Sequence, residues 1–122
     1  MAYFTLPETK IRSQFNKIKS HVDVVSYSAK TNYDVIPILS NTESHFSVHK
    51  MSAIRYVENK GKIMFFPQGW TVKEAQQLYY LGIYTFIVDN EPDIEVLKTW
   101  LDTSDVDVNI LLRLKLRERS IK

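Results

Sequence analysis

The stretch Leu81-Gly-Ile-Tyr-Thr-Phe-Ile-Val-Asp-Asn-Glu-Pro92 decides how this chain folds. Gly82 stops the helix before it. Tyr84 to Asp89 is a continuous run of β-branched and aromatic residues, the pattern of a strand buried on both faces. Asn90 and Pro92 then open a second helix. Upstream, Thr71-Val-Lys-Glu74 reads as a capping box that starts a helix running to Leu81. Downstream, Ile94, Leu97, Trp100 and Leu101 recur at helical spacing, and a polar link, Asp102 to Asp107, leads to a last strand at Val108–Leu114. Helix, strand, helix and strand in so short a span describe a parallel βαβ unit.

The same alternation extends to the start of the chain. Pro7 and Glu8 suit the first turn of a helix in which Ile11, Phe15 and Ile18 form the apolar stripe. Lys10, Arg12, Lys17 and Lys19 lie between them as a solvated basic face. Val22 to Asn32 reads as a buried strand that delivers Lys30 to the rim of a sheet, where parallel α/β proteins place their chemistry. A short helix is expected to begin near Asp34, because Pro37 is tolerated only in a first turn. His45 to Lys50 alternates like a strand, and Ser52 to Lys60 reads as a helix with Ala53, Ile54 and Val57 inward and Gly61 as its C-terminal cap. Lys62 to Phe66 is a strand stopped by Pro67-Gln-Gly69. Strands near residues 24, 47, 64, 86 and 111 predict an α/β fold. The expected form is a partial (β/α) barrel of about five parallel strands with covering helices, an incomplete TIM-barrel-like arc formed as one domain over residues 1–122.

Composition narrows the function. A hydrophobic fraction of 44% with 25% charged residues is that of an ordinary globular domain. The net charge of +2 is too small to imply nucleic acid or membrane as a partner. The chain has no cysteine, which excludes a disulfide, a thiolate zinc site and a cysteine nucleophile. No apolar run approaches the roughly 20 residues of a membrane span, and the N-terminus lacks the pattern of a signal peptide, so a cytoplasmic protein is expected. His21, His45 and His49 form no metal constellation; His45 and His49 on one strand would stand about 13 Å apart. Asp102, Asp105 and Asp107 lack the glycine and glutamate of a calcium loop. Trp70 and Trp100 read as packing residues.

Taken in order, several short motifs carry a resemblance. Tyr27-Ser-Ala-Lys-Thr-Asn32 is similar to a Tyr-Ala-Val-Lys-x-Asn pattern, and Phe46-Ser-Val-His49 to Phe-Asp-x-Ala. Ile63-Met-Phe-Phe-Pro67 is similar to Ile-Ile-Tyr-x-x-Pro, and Leu111-Leu-Arg-Leu114 to Leu-Arg-Ile. Gly82 to Asn90 follows a Gly-Val…Asp-Ser pattern. The chain thus resembles the N-terminal part of the fold type III pyridoxal-phosphate decarboxylases, the ornithine, arginine and diaminopimelate decarboxylases with an alanine-racemase-like barrel. The resemblance implies pyridoxal phosphate as cofactor, Lys30 as its Schiff-base lysine, Arg113 as a fixed positive charge beside it, and Tyr27 and Asn32 as flanking residues. It also implies a small amino acid as substrate. A partly desolvated lysine at a sheet rim has the chemistry such an attachment requires.

Two positions depart from the pattern. Ser47 and Ala53 stand where the family carries Asp and Glu. The glycines, Gly61, Gly69 and Gly82, form no phosphate loop, and the family's remaining strands and C-terminal β domain have no counterpart here. A second chain that completes the barrel is therefore expected, or a homo-oligomer, since an open arc leaves two edges unpaired. The competing expectation is a non-catalytic protein of decarboxylase-like fold that regulates or pairs with an enzyme.

Overall fold

The structure, a computed structural model, describes residues 8–22, 24–29 and 33–113. Five strands form one sheet: β1 (Ser26–Ser28), β2 (His45–Val48), β3 (Ile63–Phe65), β4 (Thr85–Val88) and β5 (Asn109–Leu112). Their order in space is their order in sequence, and every pairing is parallel. Among the described residues four α-helices accompany them: α1 (Glu8–Lys19), α2 (Val35–Leu39), α3 (Val72–Tyr80) and α4 (Glu91–Thr103). This is the expected α/β architecture, an open arc of parallel strands that does not close into a barrel.

Sequential order has a direct consequence. Right-handed crossovers that always step in the same direction place all their helices on one face of the sheet. Burial follows suit. Phe46, Val48, Ile63, Phe65, Phe86 and Val88 are buried in a core with Ala75, Leu78, Leu97 and Trp100 from α3 and α4. The alternate residues, His45, Ser47, Met64, Thr85 and Ile87, are only half-buried. The expectation that Tyr84–Asp89 is buried on both faces is thus corrected: β4 hides one face and leaves the other half-buried, with no helix over it among the described residues. That helix-free face carries Ser26, Ser28, His45, Ser47, Thr85 and Asn109, polar groups that water can satisfy.

The first strand is shorter than its sequence suggests. The strand proper is Ser26–Ser28, bonded to β2 from Val25 to Ala29, while Val22 and Val24 are 45% and 53% exposed. The ladder begins where the His45 N–H reaches the Val25 carbonyl at 2.8 Å, and β2 offers no partner to the residues before that. The helix expected over Ser52–Lys60 is also corrected. Met51–Tyr56 winds as a 3-10 helix, Val57 is extended and buried, and Lys60–Lys62 makes a second 3-10 turn that contains Gly61. The Lys60 ammonium donates to the carbonyls of Ile54 and Val57, which satisfies the end of the first turn and removes any need for a glycine cap.

The other helix ends follow their sequence signals. Thr71 Oγ1 accepts the Glu74 N–H at 3.1 Å, and the Asn90 side chain accepts the Asp93 N–H at 2.9 Å. Gly82 takes φ +98° where α3 turns into β4. Trp70 and Trp100 are buried, as expected of packing residues, and α4 continues to Thr103, two residues into the expected polar link. Among the described residues, no helix is long and apolar enough to cross a membrane.

Candidate functional site at the sheet rim

The C-terminal ends of β2, β3, β4 and β5 meet around a small cavity of about 40 Å³ lined by His49, Phe66, Pro67, Gln68, Ile87, Asp89 and Arg113. Each polar residue there comes just after a strand, where a parallel sheet presents its side chains to ligands. His49 follows β2, and its ring stacks on Phe66 with centroids 4.4 Å apart and planes 11° from parallel. Arg113 follows β5, and its N–H bonds the Val88 carbonyl at 2.9 Å, so the ladder holds its backbone in place. Asp89 follows β4 and accepts a hydrogen bond from the Asn90 side chain at 3.0 Å. Gln68 sits in the turn after β3. The rim thus gathers a guanidinium, a carboxylate, an imidazole and an amide around one opening.

The turn that carries Gln68 is held from below by Asp93. This carboxylate, 1% exposed, accepts the Gly69 N–H at 3.0 Å, the Trp70 N–H at 3.3 Å and the Asn90 amide at 2.8 Å. The Trp70 indole in turn donates to the Asp93 carbonyl at 3.1 Å. Gly69 has φ +68°, a conformation that favours glycine. One buried carboxylate therefore ties the loop after β3 to the first turn of α4, which follows β4.

The site residues expected from the sequence are distributed unevenly. Arg113 lies in the rim cavity. Tyr27 does not join it. Its strand partner Phe46, and Ile63 beyond it, belong to the helix-covered core, and Tyr27 packs against that core. It lines a separate groove of about 330 Å³ with Ile11, Phe15, Val35 and Leu39, and burial there raises its hydroxyl pKa above the usual 10.0. Lys30 and Asn32 lie outside the described residues. The Ala29 N–H bonds the Ser47 carbonyl at 3.0 Å, so pairing with β2 extends to the residue before Lys30.

The two departures from the family pattern have structural counterparts. Ser47 shares a 2.7 Å hydrogen bond with the Ser26 hydroxyl. Ala53 is 1% exposed within the core. His49, Gln68 and Asp89 were not singled out as site residues by sequence, although each directly follows a strand or its turn. Their position after a strand was the available signal. The contribution of Asp93 had only a local one, the Asn90-x-x-Asp93 cap.

No protein-family model, curated protein or solved structure matches this chain.

Proposed function

We propose that this chain is a component of a pyridoxal-phosphate-dependent amino-acid decarboxylase of the ornithine, lysine, arginine or diaminopimelate class. In this reading Lys30 attaches the cofactor. The observation that supports it most is the placing of Arg113 at the strand ends, in one cavity with His49, Gln68 and Asp89. A guanidinium at that position suits an anionic cofactor or a substrate carboxylate. When bound, pyridoxal phosphate supplies the electron sink for decarboxylation. The part played by this chain is to present the amine of Lys30, a cation at Arg113, and acid–base groups at Asp89 and His49.

A cavity of about 40 Å³ holds little more than a water molecule, so the described rim supplies charges for the cofactor without enclosing it. A partner that contributes the phosphate-binding groups is part of the proposal, as is a cytoplasmic location, which a chain without cysteine suits. The second reading is a non-catalytic decarboxylase-like protein that binds a partner. It is favoured by the buried Ala53 and by the Ser26–Ser47 bond, which occupy the places of two acids.

The test is to incubate the chain, alone and with its genomic neighbours, with pyridoxal phosphate, reduce with borohydride, and map the modified peptide. Modification at Lys30, lost in Lys30→Ala, supports the enzyme reading. Equal labelling of wild type and Lys30→Ala overturns it and leaves the non-catalytic reading.

A further inference from the structure

β5 ends the sheet with its outer side open: among the described residues it pairs with β4 alone. All of its residues are exposed, with Ile110 at 37%, Leu111 at 47% and Leu112 at 60%. An apolar strand with a free edge is a template for another strand. Its hydrogen-bonding polarity is set by β4. The N–H groups of Asn109 and Arg113 donate to the carbonyls of Tyr84 and Val88. In a parallel ladder, alternate residues address the same neighbour, so Val108, Ile110 and Leu112 turn their N–H and C=O groups to the open edge.

We propose that β5 is a dimer edge, at which a second copy of this chain adds its own β5 antiparallel to the first with Ile110 on the twofold axis. The even-numbered residues then make the hydrogen-bonded pairs, Ile110 with Ile110 of the partner subunit, and Val108 with Leu112 of the partner subunit. These pairs are apolar and lie on the helix-covered face of both sheets, so the two cores become continuous. The odd-numbered residues form the other set, on the helix-free face. Asn109 stands opposite Leu111 of the partner subunit, and Arg113 opposite Asp107 of the partner subunit. Asp107 and Arg113 are both exposed, so this register brings opposite charges together at each end of the interface. The antiparallel pairing that uses the outward backbone groups therefore also matches apolar to apolar and acid to base. It sets a carboxylate of the partner beside Arg113 at the rim cavity, so that each rim would be finished by the other subunit. The outer edge of β1 and the helix-free face stay available to any chain that supplies a phosphate site.

The experiment uses the full chain and light scattering across a concentration series. Wild type should have twice the chain mass. Ile110→Pro removes an N–H that faces away from β4, so it should give a monomer with an unchanged far-UV spectrum. Asp107→Arg and Arg113→Asp, each alone, set like charges opposite at both ends and should weaken the dimer about tenfold. Mixed together, the two variants set a basic edge against an acidic one. Opposite charges then face each other at both ends again, and the mixture should form a heterodimer as tight as wild type. A wild-type monomer throughout means that another segment or chain covers β5, and overturns the proposal. A dimer that survives Ile110→Pro overturns it as well. Should Ile110→Pro fail to fold, the mixture decides: charge variants that associate no better together than apart refute the register. Mass reads the dimer and peptide mapping reads Lys30, so either proposal can fail without the other.

Discussion

At the residue scale, two side chains carry consequences that can be measured. Asp93 takes hydrogen bonds from two backbone N–H groups and one amide in a place that water does not reach. Asp93→Ala would leave the buried Trp70 N–H unpaired, at about 1–3 kcal/mol for the group left dry, while the Gly69 N–H and the Asn90 amide, on exposed residues, could turn to water. The urea midpoint should fall by an amount equivalent to about 1–3 kcal/mol with the m-value unchanged. Tyr27 gives a pH dependence. Its pKa is raised by burial, so in alkali the unfolded chain releases the proton first. Its contribution is therefore fully present below pH 10.0 and is lost as pH rises from there toward the folded value. Tyr27→Phe should lose stability less steeply than wild type above pH 10.0 and match its slope at neutral pH, as thermal melts at several pH values would record. Neither effect could be read from residue identity. An acid just after a helix-starting proline looks like a cap, and nothing local announces that it also holds Gly69 and Trp70.

At the element scale, a buried aromatic cluster joins α3, α4 and β4. Trp100 is fully buried and meets Phe86, Tyr79 and Trp70 edge-on, with centroids 5.6, 6.0 and 6.2 Å away. Its indole N–H reaches Gln76 Oε1 at 2.8 Å, which joins α4 to α3. Trp100→Ala should destabilise by about 3–5 kcal/mol, enough to lower the melting temperature markedly in calorimetry. This part was also the most legible in sequence. Thr71 with Glu74, Gly82, and Asn90 with Pro92 are strong punctuation, and the elements begin and end where those residues say. The weakly punctuated elements were less legible. Met51–Tyr56 lacks a capping side chain and coils as a 3-10 turn, and Lys60, six residues from Ile54, closes it from outside its own hydrogen-bonded ladder. In the first strand, the valines predicted β structure, but bonding to β2 starts only at Val25.

At the scale of the whole molecule, the arc has, among the described residues, two open edges and one face without helices, so association is a property of the fold as much as of any side chain. The dimer proposed at β5 belongs to this scale, because it depends on which way the Ile110 and Leu112 backbone points, and that direction is dictated by β4. The cofactor proposal belongs here too. Lys30 comes after β1 in sequence and Arg113 after β5, the two outer strands of the sheet, so a ligand that touches both must span the rim. The alternation of strand and helix and the parallel sheet were legible in the amino-acid sequence. They rest on local periodicity and on the rule that crossovers keep one hand. The gathering of His49, Gln68 and Asp89 around Arg113, the turning of Tyr27 to the helix-covered side and the exposure of β5 required the folded chain. Each depends on register between strands that are remote in sequence, and a shift of one residue would turn each side chain to the other face.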